Sequence, residues 1–179
     1  MITPDAARNI SFVGHTDQGG RRDGGLTILD VSDKNNPRLL AHCVWSPPFG
    51  GGTHSALPLH HRNLFMVADE ATMNIDQDQM KYTWVFDIPD KSNPVSISTC
   101  PTPSDQDYVK MGGQFGPHNL HENRPGSFQS STTICATWRK PMRGRAKMRH
   151  TADLFVANEG LIYATGYDSG LYILQWDGA

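Results

Sequence analysis

The chain alternates apolar and polar residues in short runs, and glycine, proline, asparagine and aspartate fill the gaps between them. A period of two is the mark of β-strands, whose successive side chains point to opposite faces, and the residues in the gaps are turn formers. Residues 1–9 hold little periodicity. Ile10, Ser11, Phe12 and Val13 then alternate like a strand and lead into a polar, glycine-rich loop ending at Gly24. From Gly25 the pattern sharpens: residues 26–31 predict a strand, residues 32–37 a turn closed by Pro37, and residues 39–44 a returning strand.

This strand-turn-strand unit recurs over residues 82–100. Asp30 corresponds to Asp87, Asp33 to Asp90, Lys34 to Lys91, Asn36 to Asn93, Pro37 to Pro94 and Cys43 to Cys100, all at an offset of 57. A partial third copy, Gly170-Leu171-Tyr172-Ile173-Leu174, parallels Gly25-Leu26-Thr27-Ile28-Leu29. A second repeat interleaves with the first, and each copy opens on a histidine. His54 leads into residues 55–59 and, past a polar turn, 64–68; His118 leads into 119–122 and 133–137; His150 leads into 151–156 and 161–165. The grammar of histidine, strand, turn, strand and outer strand is one propeller blade read from the centre outwards. The expected fold is therefore all-β, a β-propeller-like array of antiparallel blades in a single domain over residues 1–179, with an N-terminal strand and polar loop over 1–24 and a basic loop over 139–149.

The most polar and stiffest stretch is 113–128. Gly116-Pro117 before His118 and Arg124-Pro125-Gly126 after Glu122 exclude a long helix, since proline lacks an N–H and glycine weakens helix interiors. On the extended run that remains, His118, Leu120 and Glu122 share one side and Asn119, His121 and Asn123 the other. The two histidines point apart. A helical zinc-protease motif needs both on one face, so partners of His118 must come from elsewhere in the chain.

Composition narrows the function classes. With 179 residues, 37% of them hydrophobic, the chain supports one ordinary core, and a net charge of −2 offers no field for nucleic acid or anionic membrane. The basic run 139–149 lacks interleaved aromatics, which argues against stacking on single-stranded nucleic acid. No run approaches the ~18 apolar residues of a membrane span, and no leader pattern opens the chain, so a soluble, cytoplasmic protein is expected. Cys43, Cys100 and Cys135, odd in number and set in apolar surroundings, predict buried free thiols. Nucleophile elbow, phosphate loop, Cys-x-x-Cys pair and dinucleotide fingerprint are all missing from the sequence.

Residues 25–33 followed by Asn36-Pro37 resemble the LVIVD repeat, a bacterial β-propeller module. The resemblance extends to Gly51-Gly52-Thr53-His54, Asp69-Glu70, residues 116–128, 160–165 and 170–174. It implies a propeller with its working mouth at the central channel. A looser likeness to the selenium-binding and methanethiol oxidase propellers implies metal on channel histidines. At about 40–45 residues per blade the chain supplies about four blades, and repeat strands are missing after Gly24 and Trp138. An incomplete ring with unpaired strand edges is expected, and such edges invite a homo-oligomer.

In a propeller, equivalent positions face one axis, so His54, His118 and His150 are the candidate ligands of one transition-metal ion, zinc, copper, iron or nickel. The other reading has these histidines pinning blade to blade by hydrogen bonds. Glu122 is a candidate fourth ligand or general base, and Arg124 a candidate fork for a substrate carboxylate. Asp69-Glu70 closes a strand, where capping and ligation are both open. His121 and Asp153 stand three residues after their leading histidines and suit blade-to-blade hydrogen bonding. Two functions follow: a metal-dependent enzyme acting on a small organic substrate, or a non-catalytic binding or scaffold propeller with structural histidines.

Overall fold

The computed structural model describes residues 2–5, 10–15, 24–46, 48–49, 51–59, 62–71, 81–100, 116–124, 127–132, 151–157, 161–166 and 170–175. They form thirteen strands and no helix. β1(Ile2–Asp5), β2(Ile10–His15), β3(Gly25–Asp30) and β4(Arg38–Val44) make the first sheet. The second holds β5(Thr53–Leu59), β6(Leu64–Asp69), β7(Thr83–Asp87) and β8(Val95–Thr99). The third pairs β9(Pro117–Arg124) with β10(Ser127–Thr132), and the fourth holds β11(Thr151–Val156), β12(Leu161–Gly166) and β13(Gly170–Gln175). Every pairing is antiparallel, and within each sheet neighbours in sequence are neighbours in space.

The offset-57 repeat is reproduced down to single bonds. The Asn36 amide donates to the Asp33 carbonyl at 3.1 Å, and the Asn93 amide to the Asp90 carbonyl at 3.2 Å. The Asp33 carboxylate accepts from the Asn35 amide at 3.0 Å, as the Asp90 carboxylate accepts from the Ser92 amide at 2.8 Å. Even the irregularities match. The β3–β4 register slips between Ile28 and Leu29, leaving Leu40 as the extra residue, and the β7–β8 register slips between Val85 and Phe86, leaving Ile97. These are β-bulges at the same place in the repeat.

Register also sorts side chains into two faces per sheet. Ile10, Phe12, Leu26, Ile28 and Ala41 form the forward face of the first sheet and pack on Ala56, Phe65, Val67, Trp84 and Phe86, the rear face of the second. Phe12 stacks on Phe65 with ring centroids 4.2 Å apart. The forward face of the second sheet, with Leu57, Leu59, Met66, Ala68 and Val85, packs in turn on Leu120 of β9. The first three sheets thus follow one another face to face, the fourth meets the third where β11 lies beside β9 and β10, and no comparable packing joins the fourth back to the first among the described residues.

Some boundaries differ from expectation. β1 is a strand that the pattern of residues 1–9 does not announce, because Pro4 interrupts it; as the edge strand of its sheet it tolerates the missing N–H. β9 runs through to Arg124, and β10 begins straight after the turn at Ser127, where the sequence suggests 133–137. Residues 133–137, His60, His61, Cys135 and the basic run 139–149 lie outside the described residues. Cys43 and Cys100 are free thiols, as expected, but half-buried rather than buried, and burial pushes both thiols up from their ordinary value. No helix among the described residues is long and apolar enough to cross a membrane.

Candidate metal centre

His54 enters the site through a break in the ladder. On β5, Thr53 pairs with Asp69 and Ser55 with Ala68, so His54 is the extra residue of a bulge, a device that re-aims a side chain. Both neighbours are buried. The Thr53 hydroxyl donates to Asp69 Oδ1 at 3.1 Å and accepts from the Gly25 amide at 3.0 Å, which clamps the strand at this point to the first sheet. Glu70 follows the last residue of β6, and its amide donates to the Gly52 carbonyl at 2.8 Å. Gly52 has a φ of 81°, and a Cβ there would stand 3.0 Å from the Glu70 carbonyl, so glycine is required for the two segments to meet.

The result is a carboxylate shared by two imidazoles. Glu70 Oε2 lies 3.0 Å from His54 Nδ1, and Glu70 Oε1 lies 3.5 Å from His118 Nε2. The two rings are stacked, with centroids 4.1 Å apart and planes at 21°. His54 and Glu70 belong to the second sheet and His118 to the third, so the cluster bridges a junction between sheets. One donor atom from each residue falls within 4.8 Å of the others. The hydrogen bond from His54 pulls the Glu70 carboxyl below its ordinary value against the burial that raises it, and the charges of His54, His118 and Lys81 pull the same way. Lys81, itself buried, donates to the Gly51 carbonyl at 2.8 Å.

Asn119 fixes the far nitrogen of the His54 ring. Its Oδ1 lies 3.1 Å from His54 Nε2, and its side chain also hydrogen-bonds Asp153. An ionised carboxylate only accepts, so Asn119 must give Asp153 its NH2 group and turn its oxygen to His54. That places a proton on Nε2, while Nδ1 donates to Glu70, and an ion bound here would take the place of the Nδ1 proton. Asp153 in turn accepts from His121 Nε2 at 2.7 Å, the sheet-to-sheet bond expected of this pair. Burial raises the Asp153 carboxyl, but His121, the Leu154 amide and Asn119 together hold it below its ordinary value.

Beneath the cluster, the buried Asp69 ties the first sheet to the second. It accepts from Trp84 Nε1 at 2.7 Å, Trp45 Nε1 at 3.1 Å and the Thr53 hydroxyl. Burial pushes its carboxyl above the ordinary value in spite of these bonds.

Of the expected ligands, then, His54 and His118 come together, and His150 lies outside the described residues. The side chains of Glu122 and Arg124 are likewise outside them, although both backbones belong to β9. The carboxylate standing with the two histidines is Glu70, for which the sequence left capping and ligation open. Two signals point to it: the Asp69-Glu70 pair closes the strand hairpinned to the His54 strand, and a glycine pair stands opposite.

Residues 20–44 match the family model of the LVIVD repeat. No curated protein and no solved structure matches the chain.

Proposed function

We propose that the chain is a propeller-like LVIVD-repeat protein that holds one transition-metal ion between His54, Glu70 and His118 and uses it on a small organic substrate. The supporting observation is the convergence of the three donor atoms within 4.8 Å across two sheets. Donors around a four-coordinate ion with bonds of about 2.0–2.2 Å stand roughly 3.3–3.6 Å apart. The separations of 3.0 Å from Glu70 Oε2 to His54 and 3.5 Å from Glu70 Oε1 to His118 lie close to that, with one carboxylate oxygen facing each histidine. Two imidazoles and a carboxylate suit zinc, iron(II) or nickel and leave coordination positions for water or substrate.

Glu122 and Arg124 stand four and six residues beyond His118 on β9, roughly 13 and 20 Å along an extended strand. Their proposed roles therefore lie away from the ion: Arg124 as the fork for a substrate carboxylate, Glu122 as a proton acceptor on the substrate rather than a ligand.

A second reading, a non-catalytic binding or scaffold propeller, draws on the fact that His54, His118, His121, Glu70 and Asp153 already satisfy one another as hydrogen-bond partners. Elemental analysis of the purified chain, stripped with chelator and then titrated with zinc, iron(II), nickel and copper(II), separates the two. The enzyme reading expects about one ion per chain, with Glu70→Gln and His118→Ala each weakening it at least about tenfold. Binding that is absent, or indifferent to both substitutions, leaves the scaffold reading in its place.

A further inference from the structure

At the first–second and second–third junctions a forward face meets a rear face, and among the described residues one rear face and one forward face carry exposed apolar side chains. On the first sheet, Leu39 and Val44 pair with Leu29 and Gly25 and so belong to the rear face; they are 64% and 55% exposed. On the fourth sheet, Phe155, Tyr163 and Ile173 stand in one register row, and Leu171 stands two rows on and so on the same face, opposite Thr165. Leu171 and Ile173 occupy the repeat positions of Leu26 and Ile28, which makes this the forward face. Phe155, Leu171 and Ile173 are 54%, 60% and 59% exposed. Bare apolar groups of this size mark an interaction surface. The occupant is specified by the molecule itself, because a forward face is covered by a rear face at both the first–second and second–third junctions.

We infer that the forward face of the fourth sheet docks on the rear face of the first sheet of a second copy of this chain. The contact is head to tail, so it closes into a ring of copies where the rotation allows and otherwise continues as an open series. It uses sheet faces and is independent of the metal centre.

Sedimentation equilibrium over a concentration series tests it. The unaltered chain is expected to exceed the mass of one copy as concentration rises. The pair Leu171→Glu with Ile173→Glu, and separately the pair Leu39→Glu with Val44→Glu, should each weaken association at least about tenfold, since an unpaired carboxylate is costly in an apolar junction. These positions are exposed in the single chain, so its circular dichroism and thermal unfolding should be unchanged. Mixing the two altered chains should restore a one-to-one complex and nothing larger, because one retains an intact forward face and the other an intact rear face. A single-copy mass throughout, association that survives either pair, or altered chains that stay apart when mixed would each overturn the inference.

Discussion

Gly25-Leu26-Thr27-Ile28-Leu29 and Gly170-Leu171-Tyr172-Ile173-Leu174 are nearly the same words, and both fold as the strand after the second strand of their sheet. Their fates differ. Leu26 and Ile28 are wholly buried, whereas Leu171 and Ile173 are more than half exposed. Strand formation is thus a local matter of pattern and turn, while burial depends on whether the next sheet arrives. Full burial of a leucine or isoleucine side chain is worth about 1.5–3 kcal/mol. The stability of this molecule is accordingly concentrated at its junctions, the first above all.

The largest expected effect compares the two copies directly. Ile28→Ala should cost about 2–5 kcal/mol, as large-to-small changes in a packed core do, and Ile173→Ala, at concentrations where single copies prevail, about 0.5 kcal/mol or less. Urea denaturation of both variants measures the difference. Equal losses would show that the junction is not what separates the two strands. Next comes the tie that brings the second sheet to the first. Asp69→Ala leaves the Trp45 and Trp84 indoles without their acceptor and should cost about 2–3 kcal/mol, given about 1–3 kcal/mol for a buried polar group left unsatisfied.

At the second junction, Asn119→Ala should weaken metal binding by about 10–100-fold, the usual effect of losing a group that orients a ligating histidine, with little change in melting temperature. Nitrogen NMR of the His54 ring should show Nε2 losing its hydrogen-bonded signature in the variant, even without metal. The smallest effect concerns acid. Hydrogen bonds from the Ser32 amide and hydroxyl and from Arg38 lower the Asp30 carboxyl from 3.8 to about 2. A folded value below the ordinary one stabilises the native state above about pH 4, and that contribution is lost as pH falls towards 2. The third copy has Gln175 at this place and carries no such dependence. Asp30→Asn should therefore flatten stability against pH between 4 and 2, as followed by circular dichroism.

The repeat made much of this legible. Matching Asp33 with Asp90 and Asn36 with Asn93 foretold two turns with the same bonds, and shared position in the blades brought His54 to His118. Period-two reasoning fails where the period itself breaks. The bulge at His54 cannot be seen in the alternation of residues 53–59, and Glu70 reaches the site through a glycine of positive φ whose conformation no side-chain pattern reports. β1 escaped because a four-residue edge strand containing Pro4 has too short a pattern to register.

The paired bulges at Leu40 and Ile97 carry a consequence for crowding. β4 and β8 are the outer edges of their sheets, where unpaired amides could recruit a stray strand and grow the sheet sideways. An extra residue there interrupts the hydrogen-bonding rhythm and twists the rim, so a foreign strand finds no continuous template. The β12–β13 ladder has no such interruption. The two copies of the unit carry the same safeguard, so sideways aggregation, if provoked by heat or high concentration, should not begin at β4 or β8.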